Sequence, residues 1–245
     1  MNSNDQRGTP RRAFLQAFGT GIALGMLPWT ARGAEGRLKV GIVGSGRIGG
    51  TLGEIWHKAG HAVMFSSRHL DDDRALAKRL GDRAQAGSPR EAVVFGAVVL
   101  MAVPFGALPA LGRQLGGVLK DKPVVDACNP FVHRDGEIAS WARQKGAGLA
   151  SAELLPGARI VRAFNAISYA RLPEIAERKG GEPVGMPMAG DDAQAIALAS
   201  RLVRDAGFEP VVVGGLAMGK YLIPGTPLAG EHTPEEIRKI AATLS

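Results

Sequence analysis

The chain has a single cysteine, Cys128, among its 245 residues, so no intramolecular disulfide can form. Aromatics are only 5% of the composition. The formal net charge is +7. Residues 1–33 carry Arg7, Arg11, Arg12 and Arg32 against Asp5, a net of +3, which leaves +4 spread over the rest without a basic block. Few aromatics and dispersed charge argue against a nucleic-acid surface. No spacing of His, Cys and Asp points to a metal site, and no Gly-x-Ser-x-Gly elbow is present. What remains is 45% hydrophobic and 22% charged residues, enough for one sizeable globular core.

The first segment reads as a leader. Arg11 and Arg12 precede an uncharged run, Ala13 to Ala31, broken by Gly19, Gly21, Gly25 and Pro28. Such a run is weak as a membrane span. "RRAFLQ" closely resembles a twin-arginine export signal, with Ala31 and Gly33 as small residues around a cleavage point. Residues 1–34 are therefore expected to be a signal, either cleaved or kept as an anchor, that uses the twin-arginine export machinery and sends the chain to the periplasm. The folded body is expected over 35–216, with 217–245 as a C-terminal loop and helix covering an acceptor site.

The body starts with the apolar run "LKVGIV", Leu38 to Val43, long enough for a buried parallel strand. Gly44-Ser45-Gly46-Arg47-Ile48-Gly49 follows at once, then a helical pattern with Ile48, Leu52, Ile55 and Trp56 on one face and Gly60 as the stop. "HAVMFSS", His61 to Ser67, is a second strand. The glycine pattern alone is weak, but between strand and helix it predicts a dinucleotide loop. Gly44 permits the turn, Gly46 the approach of a pyrophosphate, and Gly49 close packing of helix on strand, with the helix N-terminus toward the phosphates.

The end of the second strand bears on the cofactor. An NAD site usually has a carboxylate there for the ribose hydroxyls. This chain has Ser66, Ser67, Arg68 and His69, which suit a 2′-phosphate, so NADP is the expected cofactor. Asp71, Asp72 and Asp73 read as helix N-terminal acids favoured by the dipole. Folded back toward the ribose, they would weaken the NADP expectation.

The alternation continues through strands at 84–87, 97–103 and in "PVVDACNP", with helices at 88–95 (Ser88 as cap) and 107–119. Open α/β sheets bind ligands at the carboxyl ends of their strands, which places Val103, Pro104, Phe105, Asn129 and Pro130 on the cofactor rim. Further strands are expected in 158–168, up to Ala189, and in "GFEPVVVGGL". A helix from Ala193 to Ala206 would bury Ile196, Leu198, Ala199, Leu202 and Val203. Thr233 and Pro234 open a terminal helix as N-cap and first residue. The predicted fold is α/β: a Rossmann-type, doubly wound, mostly parallel sheet with helices on both faces, a single compact domain with a small C-terminal extension.

The motifs "GIVGSGRIGGTLG", "SSRH", "AVPFGAL", "VVDACNPF", "LPGARIVRAFNAIS", "MAGDD" and "AGFEPVVVGGL" resemble, in type and order, those of the F-420-dependent NADP oxidoreductases. That family includes deazaflavin reductases and the reductase domain of membrane ferric reductases. The resemblance spans Leu38 to Leu216. It implies NADP bound by the glycine loop, Ser67, Arg68, Val103-Pro104-Phe105 and Asn129-Pro130, with the Ala163-Phe164-Asn165 turn facing the nicotinamide. It implies hydride transfer with a flavin-like or deazaflavin acceptor. The chain departs from the family in its leader and in "AMGKYLIPGTPLAGEHTPEE" after Leu216, where a longer terminal helix is expected. Hydroxyacid dehydrogenases and pyrroline-carboxylate reductases share the first half. They add a long helical domain, for which the 88 residues from Ala158 onward, with two predicted strands, leave no room.

Hydride transfer between ring cofactors needs little acid–base help, so the absence of an obvious catalytic dyad does not argue against an enzyme. His57 is expected at the surface and His61 as structural. His133 is either a solvated loop residue or a group on the acceptor side. Cys128 is expected as a small buried residue. The alternative functions are a non-catalytic NADP-binding or partner protein, or a reductase of the hydroxyacid dehydrogenase and pyrroline-carboxylate reductase class. The sequence leaves a homodimer open. Met218 and Tyr221 are expected at the mouth of the acceptor site.

Overall fold

A computed structural model describes residues 36–244. The expected leader, residues 1–34, lies outside the described residues. In chain order the elements are β1 (Lys39–Val43), α1 (Arg47–Lys58), β2 (Ala62–Ser66), α2 (Leu70–Leu80), β3 (Ala84–Ala86) and α3 (Pro89–Phe95). Next come β4 (Val98–Met101), α4 (Leu108–Leu119), β5 (Pro123–Asp126), α5 (Val132–Asp135), α6 (Glu137–Lys145) and α7 (Ala147–Leu154). The chain ends with β6 (Arg159–Arg162), α8 (Leu172–Ala176), β7 (Gly185–Gly190), α9 (Ala193–Asp205), β8 (Glu209–Gly214) and α10 (Pro234–Ala242).

The eight strands form one sheet in the order β3-β2-β1-β4-β5-β6-β7-β8. β1 to β6 run parallel; β7 is antiparallel to β6, and β8 is parallel to β7. The fold is thus the doubly wound α/β sheet expected, with β7 and β8 extending it. The order reverses between β1 and β4. Loops after these two strands diverge to opposite faces, and the crevice they leave is where such sheets bind ligands.

Strand periodicity divides the interior in two. Val40 and Ile42 of β1, Val98 and Leu100 of β4 and Val125 of β5 face a core that takes in Leu52, Ile55 and Trp56 of α1 and Leu202 and Val203 of α9. The alternate residues Val43, Val99, Met101 and Val124 face a second core with α3, α4, α6 and α7. Both faces are covered, which is why these strands read as continuous apolar runs. Of the predicted face of α9, Ala199, Leu202 and Val203 are buried, Ile196 packs half-buried against the core, and Leu198 stays half-exposed. A third, smaller core of Ala189, Val211, Leu222, Leu228 and Ile237 seats the C-terminal segment on β7 and β8.

The expected caps form. Ser88 and Glu91 make a reciprocal capping box on α3, and Thr233 and Glu236 make one on α10, each with Pro in the first turn. Gly60, φ 98°, ends α1 in the left-handed region. Three helices between β5 and β6 were not legible in the sequence. α6 and α7 start at Gly136 (φ 63°) and Gly146 (φ 94°), which offer no side-chain cap.

Candidate functional site

The glycine loop turns tightly over β2. Gly44 has φ 99°, and the amides of Gly44 and Ser45 both donate to the Ser66 carbonyl, at 2.8 and 3.2 Å. A Cβ at Gly44 would meet the Ala102 carbonyl oxygen at 2.4 Å, and one at Gly49 would meet the Gly44 oxygen at 2.0 Å. Larger residues would push α1 off the loop. A Cβ at Gly46 would point into open space. No side chain caps α1 and no acid lies in its first turn. Its first amides therefore offer an anion cradle backed by the helix dipole.

Two cavities meet at this loop. One, about 790 Å³, lies toward β2 and α2; the other, about 720 Å³, lies toward β5 and β6. Gly46, Ala102, Val103 and Pro104 line both. They are the two halves of one cleft along the carboxyl ends of the strands.

The first cavity gathers Gly44, Ser45, Ser66, Ser67 and Arg68, with Leu76 and Leu111 among its apolar walls. The serines are not free donors. Ser66 Oγ is buried and donates to the Ile42 carbonyl at 2.8 Å. Ser67 Oγ donates to Asp73 Oδ2 at 2.8 Å, and Ser45 Oγ donates to Asp73 Oδ1. Asp71 does sit exposed in the first turn of α2, paired with Arg74. Asp73 departs from the expectation: only 1% exposed, it is folded back into the cavity because it shares the buried face of α2 with Ala77. Arg68 stands exposed on the cavity wall and makes no ion pair among the described residues.

The second cavity is lined by Arg47, Ile48, Asn129 and Asn165. Behind it lies a buried polar network. Arg162 Nη1 pairs with Asp126 Oδ2 at 2.6 Å, and its Nη2 donates to the Cys128 carbonyl at 3.1 Å. Asn129 Nδ2 donates to the Asn165 carbonyl at 2.9 Å, and Asn165 Nδ2 reaches Asn129 Oδ1 at 3.4 Å. Asn165 Oδ1 is buried without a partner. The turn that presents it is strained: Phe164 has φ 64°, held by edge-on ring contacts with Trp56 and Phe208.

Three expected rim residues lie behind the cleft instead. Phe105 and Ala163 are fully buried core residues, and Pro130 is buried with its carbonyl turned to Arg143. Phe105 and Pro130 each follow a lining residue, Pro104 and Asn129, and Ala163 follows the buried Arg162. His57, expected at the surface, is buried, and its Nε2 donates to the Asp82 carbonyl at 2.7 Å. His61 is structural, accepting from the Leu38 amide at 3.0 Å and donating to Asp205 at 2.9 Å. His133 is exposed and stacks near Phe131, outside the cavity lining.

The residue beside it, Arg134, does line the cavity. Its guanidinium pairs with Asp135 at 2.8 Å, donates to the Asn129 carbonyl at 2.8 Å and covers the Phe131 ring. Across the mouth, the Arg47 guanidinium lies 5.3 Å from the Tyr169 ring centroid. The C-terminal segment contributes Pro224, Gly225, Ala229 and Gly230, with the Gly230 amide tied to the Ala166 carbonyl. Met218 and Tyr221, expected at the mouth, pack against the third core instead. Asp and Glu are absent from this lining, whereas Arg47 and Arg134 are present.

Residues 39–130 match the family described as "NADP oxidoreductase coenzyme F420-dependent". No curated protein matches the chain. Among solved structures, a hypothetical protein from Sinorhizobium meliloti is 26% identical with a TM-score of 0.66, covering 81% of this chain and 96% of that one. A protein described as an F420-dependent NADP reductase from Arthrobacter is 19% identical with a TM-score of 0.62, covering 75% and 87%. Plasmodium falciparum pyrroline carboxylate reductase with NADP bound is 10% identical with a TM-score of 0.51, covering 72% and 59%. The chain thus shares the fold of nicotinamide-dinucleotide oxidoreductases, and over residues 39–130 it is similar in sequence to the F420-dependent NADP oxidoreductases.

Proposed function

We propose that this chain is an NADP(H)-dependent oxidoreductase whose second substrate is a planar flavin-like or deazaflavin acceptor. The observation that carries the reading is the pair of cavities joined at Gly46 and Ala102 to Pro104. A dinucleotide is two nucleotides joined by a pyrophosphate, so it needs two compartments joined at an anion cradle. The open space above Gly46 and the uncapped start of α1 fit that junction. Arg68 would take the 2′-phosphate in the first cavity, and the unpartnered Asn165 Oδ1 would take a carboxamide N–H in the second. When bound, NADPH supplies the hydride.

The chain's own part is placement. The Asp126–Arg162 pair and Asn129 hold Asn165 in position, and Phe164 fixes the turn. Ile48, Val103 and Ile167 are apolar walls that exclude water from a ring face. Arg47, which makes no ion pair among the described residues, gives this cavity positive charge, which favours an acceptor bearing carboxylate or phosphate.

The test pairs two measurements: NADPH affinity by fluorescence titration, and NADPH oxidation with a flavin or an F420-type deazaflavin present. Binding with turnover is expected. Binding without turnover on either acceptor favours the non-catalytic reading, and absence of binding removes both. Arg68→Ala should weaken NADPH by roughly ten- to a hundred-fold, since a charge-assisted contact contributes about 1.5–3 kcal/mol. The "RRAFLQ" motif supports a further proposal, export of the folded chain by the twin-arginine route with cofactor already loaded. Replacing Arg11 and Arg12 with Lys should hold the precursor in the cytosol; export at the unaltered rate would count against it.

A further inference from the structure

We infer that Asp73 is a specificity-determining residue of the adenosine end, one that holds down the preference for NADP(H) over NAD(H). The inference rests on the dinucleotide reading above. Asp73 differs from its neighbours Asp71 and Asp72: it is 1% exposed, where both of them are exposed. It lines the same cavity as Ser67 and Arg68. Its two carboxylate oxygens accept from Ser45 of the glycine loop and Ser67 at the end of β2. One buried acid therefore ties together the three elements that surround an adenosine ribose.

The consequence follows from proton counting. A serine hydroxyl has one proton to donate and two lone pairs. With both protons committed to Asp73, Ser45 and Ser67 offer a ligand only lone pairs. Ser66 is likewise committed, to the Ile42 carbonyl. A ribose 2′-hydroxyl is a donor and finds acceptors waiting. A 2′-phosphate brings only acceptors and up to about two negative charges, and it meets lone pairs and a carboxylate. Arg68 opposes this as an unpaired guanidinium on the same wall. Asp72 and His69 also lie on this wall. Of the two acids, Asp73 is the one bonded to the serines, and it favours the unphosphorylated ribose.

The experiment measures dissociation constants for NADPH and NADH by fluorescence titration on the unaltered protein, Asp73→Asn and Arg68→Ala. The unaltered protein is expected to prefer NADPH by less than about tenfold. Asp73→Asn should raise that preference by about tenfold or more, chiefly by tightening NADPH, because it removes the charge and, with a donating Nδ2 in place of one carboxylate oxygen, frees one serine proton. Arg68→Ala should move the ratio the other way. A folded Asp73→Asn protein with an unchanged ratio overturns the inference. Should that variant fail to fold, calorimetry of 2′,5′-ADP and 5′-AMP on the unaltered protein decides. Affinities within about tenfold of each other uphold the inference, and a larger preference for 2′,5′-ADP overturns it. If the unaltered protein binds neither NADPH nor NADH, the dinucleotide reading itself falls, and this inference with it.

Discussion

Arg162 and Asp126 are register partners on the adjacent strands β6 and β5, and they form an ion pair with neither side chain exposed. The pair is the base of the second cavity, since Arg162 also donates to the Cys128 carbonyl just below Asn129. Its cost is visible: Arg162 Nε is buried without a partner.

Removing one member of a buried pair leaves the other charge uncompensated, which typically destabilises by about 3–5 kcal/mol. Arg162→Met should therefore lower the urea midpoint by that equivalent, with an unchanged denaturant slope. Replacing Asp126 with Leu in the same chain should recover part of the loss, because two apolar groups replace an imperfectly satisfied pair. A double variant as unstable as the sum of the singles would mean that the two residues act separately.

Most of the sheet could be read directly, because β1, β2 and β4 are apolar runs and most turns carry glycine or proline. The glycine loop was legible for the same reason. The ion pair was not: "VVD" and "RIVR" each show a charge at a strand end, and only the β5–β6 pairing makes them neighbours. Asp73 had a usable signal. It lies four residues before Ala77 and seven before Leu80, on the face of α2 that packs on the sheet, whereas Asp71 does not. Three aspartates in a row hide that distinction. α7 was missed because small and apolar residues in "AGLASAEL" surround the helix rather than forming a stripe.

The lone thiol should be inert in the folded protein. Burial raises the Cys128 thiol well above its ordinary value, and the Asp126 carboxylate adds to this. Its Sγ donates to the Met101 carbonyl at 3.4 Å. Native protein treated with a disulfide-exchange reagent at neutral pH should release no signal, and unfolding in urea should release one equivalent. Rapid native labelling would show that the end of β5 opens readily.

Acid should loosen the Arg134 loop only below the usual carboxylate range. Burial pushes the Asp135 carboxyl up, but the Arg134 hydrogen bond and the amides of Gly106 and Phe131 more than offset it, and the net shift is downward. A carboxyl lowered on folding contributes stability above its unfolded value, about 3.9, and loses it as pH falls through the lower folded value. Asp135→Asn should thus destabilise the protein at neutral pH. The gap from the unaltered protein should close as pH drops below the ordinary aspartate range. A gap that persists in strong acid would assign the effect to packing.

Asn165 distinguishes the two ends of the cleft. Asn165 is 1% exposed, lines the second cavity and has an Oδ1 without a partner. An orphaned buried acceptor costs about 1–3 kcal/mol unless a donor arrives. Phe164 adds a strained left-handed residue, about 1–2 kcal/mol for a side chain other than glycine. A chain that holds both defects in the unliganded cleft gains when a ligand N–H reaches Oδ1, and the nicotinamide carboxamide carries one. Asn165→Leu should therefore weaken NADPH by roughly 5- to 30-fold, the equivalent of 1–2 kcal/mol. It should leave 2′,5′-ADP almost unchanged, because that ligand reaches only the first cavity. The unliganded variant sheds the orphan but also the long Nδ2 bonds to Asn129 Oδ1 and the Cys128 carbonyl, so its stability should change little. Equal losses for NADPH and 2′,5′-ADP would mean that Asn165 shapes the whole cleft rather than reading the nicotinamide end.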